Sequence, residues 1–224
     1  MQSPHPSVEC DPLNSPFPIP WAWVMDMLAQ SPQPSQLYYF RSPTLPSPDG
    51  RHVAYSRIHL RVGNTPLITS QVSSALFVEN LETEDIHAIP IHAPFANNPF
   101  IRDAELESAG TIAIAIPVSW SRAGDRLLIR EFESLFSSNL ASDFAVIWDG
   151  ATQQAYTIAP SGFPYSHAVL LGWSGDRPDQ ALFEAGMIGE SDAQRWRVDC
   201  QGRTMAAPTD QPTIFGWNLH QSAS

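Results

Sequence analysis

The nearest approach to a catalytic motif is Gly172-Trp173-Ser174-Gly175-Asp176. A nucleophile elbow needs glycine two residues beyond its serine, where this chain has Asp176. Ser174 also stands in register with Ser47 and Ser121 of similar passages, so it reads as a turn residue. His87 and His92 lie five apart across Pro90 and could belong to a metal site. No carboxylate or cysteine is fixed beside them, so solvated or turn-bonding histidines are the expectation. His52, His59 and His167 fall in predicted strands. Asp49, Asp125, Asp149, Asp176 and Asp199 recur at turns, which argues against catalysis: a catalytic acid is needed once, a turn acid in every copy. Residues 79–107 hold seven acids and one arginine, Arg102. That loop could bind cations or a basic partner, or be a solvated face. Arg126, Arg130, Glu131 and Glu133 alternate in charge along one segment and read as a wet sheet face. No phosphate-binding loop, dinucleotide fingerprint or H-E-x-x-H occurs. No catalytic, cofactor-binding or metal residue is therefore assigned.

The elements that must position these residues follow from composition. The chain has 224 residues, 43% hydrophobic and 16% charged, enough for a packed core. All 12 basic residues are arginine, against 23 acids, for a net charge of −11. That disfavours duplex nucleic acid or an anionic membrane as main partner, since both need clustered positive charge. Two cysteines, Cys10 and Cys200, are too few for a disulfide framework, and no CxxC pair suggests zinc. The start lacks the basic and apolar regions of a signal peptide, and no stretch approaches a membrane span. The expected location is the cytoplasm, with no membrane insertion.

Eleven of the 21 prolines fall in the first 48 residues, which excludes regular structure from much of that head. Within it, residues 21–30 (WAWVMDMLAQ) predict a helix, with Trp21, Val24, Met25 and Leu28 on one apolar face. After residue 36 the pattern changes to short strands and turns. Ser47-Pro48-Asp49-Gly50, Ser121-Arg122-Ala123-Gly124-Asp125 and Ser174-Gly175-Asp176 each precede an apolar strand. Asp and Ser cap such turns, and Gly accepts positive φ. A strand ending in Asn80, Asp149 or Asp199 follows each, leading into a further turn and strand. The unit is about 50 residues and four strands. The first copy carries extra residues around 63–66 and within 90–110, read as loops.

The phrases SPDGRHVAYSR, SWSRAGDRLLIRE and GWSGDRPDQALFEAG resemble the WD40-like repeats of TolB-type β-propellers over about residues 37–217. The whole chain, including DPLNSPFPIPWAWV and LLGWS, also resembles a conserved cyanobacterial family. The first resemblance implies a fold, and neither implies an activity. The expected fold class is all-β: about three four-stranded antiparallel blade-like sheets, as a partial or small propeller, with a Pro-rich N-terminal segment and one short helix. The head would span 1–36 and the repeats 37–217, with sheets near 37–90, 111–160 and 166–206, a last strand at 213–217 and a tail at 218–224. Trp120, Trp173 and Trp217 recur at the ends of inner strands, where packing between sheets is expected.

Three sheets do not reach the usual 4–8 blades of a closed ring. The head could fold back as a cap, two chains could join, or another protein could cover the opening. Phe17, Ile19, Trp21, Trp23 and Met25 are the candidate partner-binding residues. The favoured function is a non-catalytic protein–protein interaction or assembly module, whose partner is another protein or a second copy. The alternatives are a small-molecule or cation-binding module using loop 79–107, and an enzyme whose site gathers residues from different sheets.

Overall fold

A computed structural model of the chain describes residues 11–30, 36–91, 110–189 and 193–216. Strands occupy 49% of them and helices 8%. The head carries α1 (Trp21–Gln30). Three units of strands follow. The first holds β1 (Leu37–Arg41), β2 (Leu45–Pro46), β3 (His52–Arg61), β4 (Gln71–Asn80) and β5 (Ile86–Ile89). The second holds β6 (Thr111–Trp120), β7 (Arg126–Leu135), β8 (Ala141–Asp149) and β9 (Gln154–Ile158). The third holds β10 (His167–Ser174), β11 (Ala181–Gly186), β12 (Gln194–Val198), β13 (Thr204–Ala206) and β14 (Pro212–Thr213).

The all-β expectation holds, but the sheets number two rather than three. A nine-stranded sheet runs β1-β3-β4-β6-β7-β8-β9, with β2 on β3 and β5 on β4; a five-stranded sheet runs β13-β12-β11-β10-β14. The first two units fuse where β4 meets β6 in parallel at Val72 and Ile112. Ser74 reinforces this seam: its hydroxyl accepts the Ala115 N–H (2.7 Å) and donates to the Ala113 carbonyl. The described sheets do not close into a ring. The extra residues near 63–66 are partly helical as well: α2 (Pro66–Thr69) starts on a proline, whose fixed φ suits the first helical turn.

Local turn chemistry shapes each unit. Ser47 donates to Asp49 (2.5 Å), and Ser121 donates to Asp125 (2.6 Å). The Asx turns form as their residue types dictate: Asn80 accepts from the Glu82 and Thr83 amides, Asp149 from Ala151 and Thr152, and Asp199 from Gln201 and Arg203. Inner strands β6 and β10 each carry an irregularity, between Pro117 and Ser119 and between Leu170 and Gly172. Both fall three residues before the turn serine. Proline has no N–H for the ladder, and Gly172 takes φ +130°, so each sequence can break register there.

The breaks turn Trp120 and Trp173 into the interior, where both are fully buried. The Trp173 indole donates to the Trp120 carbonyl (2.9 Å), and the Trp120 indole donates to the Leu45 carbonyl (3.0 Å). Two indole bonds thus tie the inner strands of all three units. The C-terminal segment crosses the same region. β14 pairs with Trp173 and Ser174, and Phe215 exchanges hydrogen bonds with Ser119 and Trp120. Trp217 and the 218–224 tail lie outside the described residues.

Apolar side chains form two clusters. One lies between the first two units, with Leu45, Leu76, Val78, Trp120, Ile129 and Trp148. The larger joins all three units to the head, through Phe17, Ile19, Val24 and Leu28. Burying each of those four side chains contributes about 1.5–3 kcal/mol.

Candidate functional site

The head docks through one buried node. Asp11 organises the backbone around it by accepting the Leu13, Ser15 and Ile19 N–H groups at 3.0–3.2 Å. It also receives Arg130 of β7 at 2.6 and 3.1 Å. Arg130 further donates to the Phe17 carbonyl (2.6 Å) and to Asp143 of β8 (2.7 Å). The second Asp143 oxygen accepts the Leu170 N–H of β10 (2.9 Å). One guanidinium thereby links the head and second unit directly, and reaches the third through Asp143. Burial pushes the Asp143 carboxyl up to about 6, against the pull of Arg130 and the Leu170 amide. Burial also raises Asp11, but Arg130 and the backbone donors outweigh it and hold that carboxyl below the ordinary range.

This node corrects the wet-face expectation for β7. Arg130, Glu131 and Glu133 are all buried, at 0%, 1% and 0% exposure. β7 lies between β6 and β8, with its even-numbered side chains under the head and its odd-numbered ones toward the first unit, so neither face meets water. No hydrogen bond from a described residue reaches either Glu131 carboxylate oxygen. Burial, reinforced by the like charge of Glu133, pushes Glu131 up to about 9.

The candidate partner-binding residues separate. Phe17 and Ile19 are buried in the chain's own core. Trp21 is half-buried, edge-on to Phe132, and Trp23 lies against Phe40. Met25 is exposed. Of the acidic loop, Glu82, Glu84 and Asp85 are exposed, while residues 92–109, including His92 and Arg102, lie outside the described residues. Cys200 is exposed and free, and Cys10 lies outside the described residues. Among the described residues no cluster of three or more His, Cys, Asp or Glu could hold a metal ion, and no helix is long and apolar enough to cross a membrane.

Ser174 is a turn residue, with an unexpected partner. Its hydroxyl donates to Asp210 (2.5 Å) and accepts the Arg177 N–H (2.9 Å). Asp176, expected to be the turn acid, is exposed and faces Arg197 instead, at 3.5 Å. Asp210 supplies the missing carboxylate from 36 residues downstream and also accepts the Gly175 and Asp176 amides. Sequence spacing could not reveal that substitution, because the acid arrives from another segment.

An open surface escaped the sequence reading altogether. β1 ends the nine-stranded sheet, and the first unit turns one face outward. Cross-strand register places Leu37, Arg61 and Gln71 in one row, Tyr39, His59 and Ser73 in the next, and Arg41, Arg57 and Ala75 in the third. Tyr39 is 72% exposed, and Arg41, Arg57 and Arg61 are exposed too. Arg41 lies 4.0 Å from the Tyr55 ring centre and Arg57 lies 5.5 Å from that of Phe77. The available signal was the alternation Leu37-Tyr39-Arg41 and Arg57-His59-Arg61, which becomes a patch once the two strands are paired.

No family model and no curated protein matches the chain. Solved structures with β-propeller domains are similar to it at a distance. One described as a dipeptidyl aminopeptidase IV from Bacteroides ovatus is 11% identical with a TM-score of 0.40; the match covers 82% of this chain and 29% of that one. A puromycin-hydrolyzing peptidase from Mycobacterium tuberculosis is 13% identical with a TM-score of 0.34, covering 80% and 30%. An oligogalacturonate lyase in complex with manganese is 12% identical with a TM-score of 0.34, covering 84% and 57%. The chain thus spans under a third of either peptidase. These likenesses carry no activity across.

Proposed function

We propose that the protein is a non-catalytic protein–protein interaction module built on WD40-like β-repeats. The observation that carries this reading is the open face of β1, β3 and β4, where Leu37, Tyr39, Arg41, Arg57 and Arg61 stand exposed together. Large aromatic and arginine side chains dominate recognition surfaces because they combine apolar area with a polar handle. The non-catalytic part draws on the acids that could do chemistry. Asp49 and Asp125 each accept a turn serine, while Asp149 and Asp199 accept turn amides. Cytoplasmic location belongs to the same proposal.

Affinity capture of the full chain from a native extract of its source tests the reading. A partner recovered in stoichiometric amount, and retained through washing, is the expected outcome. Recovery of no stoichiometric partner, together with small-molecule or cation shifts in melting temperature, would overturn it.

A further inference from the structure

We propose that the outward face of β1, β3 and β4 docks an acidic, extended segment of another protein. This inference deepens the interaction-module reading and rests on it. In a chain of net charge −11, the five rows pairing residues 37–41 with 57–61 and 71–75 contain no Asp or Glu. They contain Arg41, Arg57, Arg61 and His59 instead. Among the described residues none of these three arginines forms an ion pair. Arg61 donates to Gln71 (3.2 Å), while Arg41 and Arg57 lie over aromatic rings. A guanidinium resting on a ring is held in place by the ring's negative face, and can still offer donors to a carboxylate. Less side-chain freedom is then lost when the ligand arrives.

The geometry favours an extended ligand. Alternate residues along β1 present Leu37, Tyr39 and Arg41 on one side, at a spacing an extended peptide shares. β1 also ends its sheet, so its outer backbone edge has no strand partner among the described residues. A second copy of this face is a poor occupant, because a twofold contact would oppose arginine to arginine. The chemistry complementary to the patch is a run of carboxylates with apolar or aromatic residues between them.

The test uses the full chain and a fluorescent peptide alternating Glu with Val, titrated at low and physiological salt. The comparison protein carries Arg41→Gln, Arg57→Gln and Arg61→Gln, all exposed sites, with unchanged melting temperature as the control for folding. A second variant carries lysine at the same three positions. Saturable binding by the wild type, weakened at least about tenfold in the Gln variant and recovered in part by the Lys variant, supports the proposal. No binding by the wild type up to about 1 mM, or equal binding by the Gln variant, overturns it. Oligothymidylate that binds more tightly than the peptide and displaces it reassigns the face to single-stranded nucleic acid, and also overturns the proposal. The two readings are separated by repeating affinity capture with the Gln variant. A stoichiometric partner still captured by that variant rejects this face and leaves the interaction module standing. Recovery of no stoichiometric partner by the wild type, together with small-molecule or cation shifts in its melting temperature, rejects the module.

Discussion

Arg130 and Glu131 are neighbours on β7 with opposite consequences. Arg130 is satisfied by Asp11, Asp143 and the Phe17 carbonyl, so removing it strands two buried carboxylates. Arg130→Met should cost about 3–5 kcal/mol in urea unfolding, the usual penalty for breaking a buried pair from one side. Glu131 acts the other way. Its folded pKa of about 9 exceeds the ordinary 4.5. Below pH 4.5 both states hold the proton. Between those values the unfolded chain releases it and the folded chain keeps it, so stability falls as pH rises, by up to about 1.4 kcal/mol per unit. Melting temperature should therefore decline from pH 6 to 9, and Glu131→Gln should flatten that decline and raise stability at pH 8. A parallel decline in the variant would contradict the assignment. Neither role was legible in the sequence. The alternation of charge from Arg126 to Glu133 is what an exposed strand shows, and only the long-range docking of the head and the first unit reveals that both faces are covered.

Elements were more legible where their chemistry is local. Helix α1 follows Pro20 and buries Val24 and Leu28 of its expected apolar face, although Met25 of that face is exposed, and the Ser-Asp-Gly and Asx turns depend on residues two to five apart. The fusion of two units at Val72 and Ile112 was hidden, because that pairing spans 40 positions with no local signature. The third turn was half legible: Ser174 announces it, but its acid comes from Asp210. Asp210→Ala should cost about 1–3 kcal/mol, since it leaves the buried Ser174 hydroxyl and the Asp176 amide without their acceptor. Asp176→Ala should change stability by under about 0.5 kcal/mol, as an exposed ion pair does. Denaturant midpoints of the two variants check the contrast, and equal losses would return the turn role to Asp176. Gly216 tests the C-terminal crossing. It adopts φ +89°, and a β-carbon there would collide with the Pro46 carbonyl. Gly216→Ala should destabilise by about 1 kcal/mol or more, read from the same denaturant curves.

At the scale of the whole molecule, an array of units must protect its apolar faces. The structure meets that need with the head: Phe17, Ile19, Val24 and Leu28 enter the main core, and Asp11 locks onto Arg130. The main core is thus covered from within the chain, while the outward face of β1, β3 and β4 stays exposed. The composition of the head made a cap conceivable from sequence, but its docking site was not readable, because the Arg130 node is assembled from the head and two different units. The most direct measurement compares the full chain with one lacking residues 1–30, by sedimentation and by urea unfolding. The truncated chain should aggregate, or unfold at much lower urea, because it exposes the main core and leaves Arg130 without Asp11. A truncated chain that stays monomeric and equally stable would show that the head is not a cap, and would assign Phe17, Ile19, Trp21, Trp23 and Met25 to a partner instead.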